Sequence, residues 1–591
     1  MYNTKHSQFF ARFFLYLLLI ASAILLASCA ENREKGMKPS SDWSRGVQLD
    51  GSVSGSASAV VEGQAEKFHL VWLATGSGQS NIRYMQLDAI SHTVVDRVIQ
   101  LPAGQLRTPR IFPAANGLLH LLYASRENSS EKWTLWYVQL DQLGETASQA
   151  QRISTPELNV SSYTAVQRSD LSLAVFWAAS LDNGLYAVDI SPAGEPDSEQ
   201  VLVATRGSSP SAKVDTSGDL HLSWVEEQTF FYARFQGGKL QPAEGIRVAD
   251  ITLTTADGLS GPVLGLSNRW IYLIWSVERQ SGLEAGTART EYISFPIDQP
   301  ARSDPKPVWI FPAEEQSYQP HQGDYNLTRL AEPADPGSTS DYIYQPSAAG
   351  GQLNQLATAV AVRQEYRQEA HVQIATLIFD DGQFKGYLLA TKTKALSYDP
   401  LLISDETGSL HLLWRQGAMG RDLYYATTSP SLRDELDRLT AADAIDLILT
   451  GGMESLVGIL FFPWIGIGWL MPGLILVGLH KLIKDNDNIS RSVLARLLLG
   501  IAILVYQGTK LLVLPSILFY VPFSAWIEIP ASWQMPLQIG VPLAILTMAA
   551  LVAWQVRRTR TDSAVMLYLV FVTVDAFFTL AIYGVGFLGV Y

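Results

Sequence analysis

The stretch Asp215-Thr216-Ser217-Gly218-Asp219-Leu220-His221-Leu222-Ser223-Trp224 decides the fold. Its first four residues mark a tight turn, because Asp bonds its own backbone and Gly takes positive φ there. Leu220, Leu222 and Trp224 then alternate with His221 and Ser223, the period of a strand with one apolar face. The stretch returns as Asp405-Glu406-Thr407-Gly408-Ser409-Leu410-His411-Leu412-Leu413-Trp414. Looser copies end at Tyr123, with His120, and at Trp72, with His69. Copies ending at Trp177 and Trp275 lack the histidine.

These aromatic ends fall at positions 72, 123, 177, 224, 275 and 414, about fifty residues apart until a long last gap. A second strand follows each, centred on Tyr84, Tyr137, Tyr186, Tyr232, Tyr292 or Tyr425. A fixed period of this length predicts an array of repeated sheets. A lone sheet cannot bury both faces, whereas radially stacked sheets can. The pattern therefore predicts an all-β propeller of seven four-stranded blades over residues 46–430, with units starting near 55, 106, 160, 208, 260, 320 and 397. The Pro/Gly/Ser-rich stretch 332–354 reads as an insertion. The seventh unit lacks a last strand, which Gly46–Leu49 is expected to supply, closing the ring and removing its open edges.

The Asp-x-x-Gly turn followed by a strand ending in Trp resembles the Asp-box (BNR) propellers of the sialidase superfamily. The family box reads Asp-x-Gly-x-Thr-Trp; here an extra residue and Leu-His-Leu intervene. The resemblance implies a propeller. A sialidase-type enzyme would further need an arginine cluster, a Tyr–Glu nucleophile pair and an acidic proton donor. Arg110-Ile111 is similar to the family's early Arg-Ile-Pro, with Phe112 in place of Pro. No arginine triad falls at matching positions, and no nucleophile elbow, phosphate loop or His-Glu zinc motif is present. Glu226, Glu227 and Glu291 are candidate active carboxylates that read more simply as turn residues. His69, His120, His221 and His411 occupy equivalent places in different blades, so they read as structural rather than as ligands of one metal ion. No catalytic, cofactor or metal site is expected.

The chain has 43 basic and 56 acidic residues, a net charge of −13, which offers nothing to a phosphate backbone and excludes nucleic acid as an expected partner. Its single cysteine, Cys29, excludes an internal disulfide. Lys5 and Arg12 precede an apolar run from Phe13 to Leu26, a secretory signal. Leu26-Ala27-Ser28-Cys29 resembles the bacterial lipoprotein box, which implies cleavage before a lipid-modified Cys29. Residues 1–29 are thus expected to be a lipoprotein signal, and 30–45 a polar tether.

After a linker or interfacial helix at 431–454, residues 455–591 read as a transmembrane bundle of four helices, 455–480, 493–519, 536–556 and 563–588. Lys481, Lys484, Arg491 and Arg496 surround the first loop, and Arg557, Arg558 and Arg560 fill the third. The second loop has Trp526 and Trp533 but no Lys or Arg. Basic loops stay in the cytoplasm, so the propeller is expected on the outer face of a bacterial cytoplasmic membrane. Lys510 and Asp575 fall at similar depth in the second and fourth spans, which predicts an ion pair between helices.

The functional expectation is a non-enzymatic binding or scaffolding module for a protein or glycan outside the membrane, held by the bilayer and with room for a membrane-protein partner. Two alternatives stand beside it: a surface glycoside hydrolase of sialidase-like type, and a component of a membrane sensor or transport complex. One expectation is testable directly. Intact-protein mass spectrometry should find Cys29 as the mature, lipid-bearing N-terminus, and Cys29→Ala should abolish that mass; an unmodified Met1 terminus would refute it.

Overall fold

A computed structural model gives the fold. It describes residues 40–587 except 63–66, 76–79, 89–91, 103, 181–183, 198, 311–314, 333–341, 351–352, 367–368, 394, 418–419, 439–440, 461–465, 485–486, 514–519 and 525–528. The signal segment and Cys29 lie outside the described residues. The chain divides into two compact units, the larger spanning 36–438 apart from a short excursion and the other holding 439–591.

The larger unit is a seven-bladed propeller of four-stranded antiparallel sheets. The first strands of the blades are Val53–Glu62, Gln105–Pro113, Ser162–Gln167, Ser208–Val214, Asp257–Leu266, Tyr342–Ala348 and Ser397–Ser404. They adjoin one another around the central axis. Blade seven takes its outermost strand from the other end of the chain: Val47–Asp50 pairs with Asp422–Thr427, Val47 opposite Tyr425. The ring closes as the sequence predicts.

Period-two alternation explains the packing. Each second-strand tryptophan faces the preceding blade: Trp177 packs against blade two, Trp224 against blade three, Trp275 against blade four, Trp414 against blade six and Trp72 against blade seven. Where present, the histidine three residues earlier points to the opposite face, as do the third-strand tyrosines Tyr84, Tyr137 and Tyr232, toward the following blade. The core is therefore seven separate seams, each shared by two neighbours. Full burial of a large apolar side chain contributes about 2–3 kcal/mol, so no blade is stable on its own exposed faces.

Polar bonds cross the same seams. Serine hydroxyls on first strands accept the amide N–H of the next blade's first strand: Ser58 from Ile111 at 3.2 Å, Ser162 from Ser209 at 3.1 Å, Ser211 from Leu264 at 2.9 Å and Ser347 from Leu402 at 3.2 Å. The first strands also carry bulges at Thr108-Pro109, Ser209-Pro210, Gly261-Pro262, Gln345-Pro346 and Asp399-Pro400. The residue before each proline has positive φ, from 49° at Ser209 to 107° at Gly261. Bulges of this kind re-aim side chains, here at the axis.

Two sequence expectations are corrected. The stretch 332–354 contains Tyr342–Ala348, the first strand of blade six, which therefore begins there rather than near 320. A short hairpin, Gln316–Ser317 with Arg329–Leu330, precedes it outside the blade pattern. Residues 40–45 are not a free tether. Asp42 accepts the amides of Thr328 at 2.7 Å and Arg329 at 2.9 Å, pinning that hairpin, and Trp43 is buried in the seam of blades six and seven.

The smaller unit is helical. With α1 (Pro430–Leu436) ending the propeller unit, it comprises α2 (Ala441–Leu460), α3 (Ile467–Lys484), α4 (Val493–Val513), α5 (Ala531–Thr559) and α6 (Ala564–Phe587). The last four are long and apolar enough to cross a membrane. The first expected span, 455–480, differs: Ala441–Leu460 is one helix, and the spanning segment starts at Ile467. Leu482, Leu512 and Leu551 expose large apolar side chains, the mark of surfaces suited to lipid. Helix α6 lies at the centre, where Tyr568 donates to the Leu470 carbonyl at 2.9 Å across the gap that Gly473 leaves open. The loops before α4 and before α6 meet: the Ile489 amide donates to the Asp562 carbonyl at 2.9 Å, and the Ala564 amide to that of Asp487 at 2.8 Å.

Deleting residues 40–50 from the full-length chain should lower the propeller's melting temperature by about 5 °C or more, because it opens a sheet edge and frees the hairpin held by Asp42. Thermal denaturation followed by tryptophan fluorescence reads this; an unchanged transition would show that closure carries no stability.

Candidate functional site

The repeated histidines form internal networks. In blade four, His221 Nε2 donates to Asp215 at 3.1 Å, and Tyr232 donates to His221 Nδ1 at 2.7 Å. The carboxylate can only accept, so the tautomer follows from the partners. Asp215 also receives the Ser217 amide and hydroxyl and the Asp219 amide, at 2.9, 2.6 and 2.9 Å. Burial alone would raise the Asp215 pKa, but these bonds outweigh it and hold the group below its usual range. His221 is lowered by burial and stays neutral. Blade seven repeats the arrangement with Asp405, His411 and Tyr425. Blade one uses Glu62, His69 and Tyr84. Blade two places His120 between Tyr137 and the Leu171 carbonyl of blade three, and burial pushes its pKa down to about 4. Each histidine thus ties its blade's turn or the next blade to the third strand. Among the described residues, no group of three or more His, Cys, Asp or Glu converges as a metal site requires.

The mouth of the ring where first strands begin and second strands end carries a different cluster. Glu278 is the penultimate residue of the second strand of blade five, Tyr344 lies on the first strand of blade six, and Tyr398 and Asp399 on that of blade seven. Arg415 on the next strand donates from Nη1 to Asp399 at 2.7 Å and from Nε to the Gly420 carbonyl at 2.8 Å. Its guanidinium lies 5.8 Å from the Tyr398 ring centre. The Asp399 amide donates to Gln345 Oε1 at 2.9 Å. Burial raises the pKa of the Glu278 carboxyl, and the charge of Asp399 adds to the effect. A carboxyl whose pKa burial raises and a carboxylate paired with arginine therefore share one mouth.

None of the three glutamates singled out in the sequence joins this cluster. Glu227 sits at an exposed turn with φ of 55° and pairs with Arg206 at 3.2 Å. Glu291 pairs with Arg289 at 3.1 Å on a third strand. Glu226 ends the second strand of blade four, beside its outer strands. Glu278, Tyr344 and Asp399 come from three blades, so no linear spacing announces them. The available signal is the proline of the bulge, which lies fourteen residues before the aromatic end in Pro109/Tyr123, Pro210/Trp224 and Pro400/Trp414 and marks where each first strand turns to the axis.

In the helical unit, Lys510 Nζ lies 2.6 Å from Asp575 Oδ2, joining α4 to α6. Tyr506 donates to the same oxygen at 2.7 Å, and Gln507 Nε2 lies 3.5 Å from Oδ1. Lys510 and Asp575 are 6% and 1% exposed, so neither charge has water as an alternative partner.

These features define a class: a seven-bladed β-propeller followed by four helices long and apolar enough to cross a membrane. No protein-family model matches the chain, and no curated protein does. Among solved structures, it is similar to the WD40 domain of coronin from Toxoplasma gondii, at 12% identity and a TM-score of 0.38, covering 64% of this chain and 84% of that one. It is also similar to the Dos1 propeller, at 9% identity and 0.37, covering 66% and 96%. An α-L-arabinofuranosidase from Fusarium graminearum, solved with an iminosugar inhibitor, gives 9% identity and 0.34, covering 65% and 97%.

Asp575→Asn and Lys510→Ala should each destabilise the helical unit by about 3 kcal/mol, since each strands a buried partner. The double variant should cost less than the sum by on the order of 1 kcal/mol or more. A double-mutant cycle on detergent-solubilised protein checks this, and strict additivity would rule the coupling out.

Proposed function

We propose that this protein is a membrane-anchored receptor or scaffold whose propeller binds a glycan or protein partner outside the cytoplasm. The observation that carries the reading is the mouth cluster of Glu278, Tyr344, Tyr398, Asp399 and Arg415. It offers aromatic faces, a fixed ion pair and a protonatable carboxyl on a ring stiffened at every seam. Such a mix suits a polyhydroxylated or peptide ligand, with the tyrosines covering apolar faces and the ion pair orienting polar groups. The lipid on Cys29 and the four long helices serve as anchors. The basic loops before α4 and before α6, held to each other, face the cytoplasm in this reading, which puts the propeller outside. Kinship with the Asp-box propellers belongs to the same proposal, resting on the turns at Asp215 and Asp405.

A second reading has one observation in its favour. Glu278, whose pKa burial raises, and Asp399, ion-paired with Arg415 at 2.7 Å, are two carboxyls in unlike surroundings at one mouth, the kind of pair a glycoside hydrolase uses as acid and base or nucleophile.

One experiment separates the two. Full-length protein in detergent is incubated with neutral and acidic oligosaccharides and with outer-surface protein extract, and both binding and released reducing sugar are measured. The binding reading expects capture without product, weakened about tenfold by Tyr344→Ala. The hydrolase reading expects turnover that Glu278→Gln lowers by about a hundredfold or more. Neither capture nor turnover, or capture indifferent to Tyr344→Ala and Glu278→Gln, would refute the assignment of the mouth.

A further inference from the structure

Below the mouth, the axial channel holds two cations that, among the described residues, have no counter-ion. Lys213 lies on the first strand of blade four, three residues past the Pro210 bulge and opposite His221. At the same level the other blades place Val60, Phe112, Val166, Gly265, Ala349 and Ile403, none of them charged. Lys213 Nζ donates to the Ala349 carbonyl at 3.1 Å. Ala349 belongs to blade six, and blade five stands between, so this bond spans the channel. An ammonium has three protons, and among the described residues this carbonyl is its one hydrogen-bond partner.

Arg110 enters from blade two, one pleat nearer the mouth, at the level where Ser58, Ser211 and Ser347 make their inter-blade bonds. Among the described residues, no hydrogen bond or ion pair engages its guanidinium. Burial lowers the Lys213 pKa to about 8, and the charge of Arg110 adds to the effect, so the two cations feel one another; among the described residues, neither forms an ion pair with a carboxylate. Two like charges converging from separate blades on an apolar lumen repel unless an anion lies between them.

We propose that the axial channel binds a small oxyanion, a carboxylate group or an inorganic phosphate or sulfate, between the Arg110 guanidinium and the Lys213 ammonium. The planar fork of Arg110 suits two oxygens of such a group, and Lys213 supplies a point charge from the far side. The remaining channel wall at this depth is apolar or hydroxylated, so selectivity comes from charge and size. The site is separate from the mouth and stands whether or not the mouth binds a glycan.

The test is calorimetric titration of the full-length protein in detergent with sodium phosphate, sodium sulfate and sodium acetate, at constant ionic strength balanced with chloride. One site per chain is expected for at least one of these anions. Lys213→Met and Arg110→Gln should each weaken it about tenfold or more, the loss of one charge-assisted bond. Binding of phosphate or sulfate without acetate would assign an inorganic oxyanion; binding of acetate alone would assign the carboxylate of a larger ligand; either supports the site. Without ligand, Lys213→Met should melt no lower than wild type, because it completes the apolar ring. Should that variant fail to fold, Arg110→Gln alone decides. No binding of any of the three anions, or binding unchanged in the variants that fold, would overturn the proposal.

Discussion

Val47 opposite Tyr425 is the pairing on which the propeller depends. Each blade is a sheet with two apolar faces, as in blade four, where Trp224 and Tyr232 point in opposite directions around the ring. Every seam needs a neighbour on both sides, so an open array would leave two faces and one sheet edge in water. The strand Val47–Asp50 supplies the missing edge. Asp50 then reaches into blade one, accepting from Trp72 Nε1 at 2.9 Å and from Arg83 at 2.9 Å. Closure thus also joins blade seven to blade one by polar bonds. The serine-to-amide bonds at the axis and the histidine networks at the turns are refinements of a ring that this strand makes possible.

The rigidity has a chemical use. Positive φ at Thr108, Ser209, Gln345 and Asp399 is unfavourable for residues with a side chain, and it persists because the surrounding sheets fix it. The result is a bore whose lining is displaced from the sheet pattern at the same level in five blades. At the mouth this brings Asp399 to Arg415; deeper, it sets Arg110 one pleat above Lys213. One repeated backbone device therefore serves two distinct polar clusters. Their chemistry differs because the side chains at equivalent positions do, not because the scaffold does.

Much of this fold is legible in the sequence, since its signals are local. Trp224 and His221 differ by an odd number of positions, which places them on opposite faces of one strand. The return of the aromatic strand end about every fifty residues gives the ring. Blade six is harder to read because its second strand, Leu356–Tyr366, has no tryptophan, and small residues such as Ala357, Ala359 and Ala361 fill the seam instead. Its first strand is consequently displaced in the linear reading. Trp43 and Asp42 look like tether residues because their partners lie almost three hundred positions away. The mouth is illegible for the same reason: Glu278, Tyr344 and Asp399 share no spacing, only a place on the ring. Lys510 and Asp575 stand out in the linear sequence because charges are rare within long apolar runs.

Ring closure also fixes how load enters the propeller. Strands Val47–Asp50 and Asp422–Thr427 are antiparallel, and Ser44 donates its amide to the Thr427 carbonyl at 2.8 Å. The chain therefore enters and leaves blade seven at the same end and on neighbouring strands. A force that separates the two ends would peel this pairing one rung at a time, the weakest way to load a sheet. A force that draws both ends in one direction puts no strain on it. A ring closed this way therefore resists loads that act on both ends together and opens readily under a load that parts them.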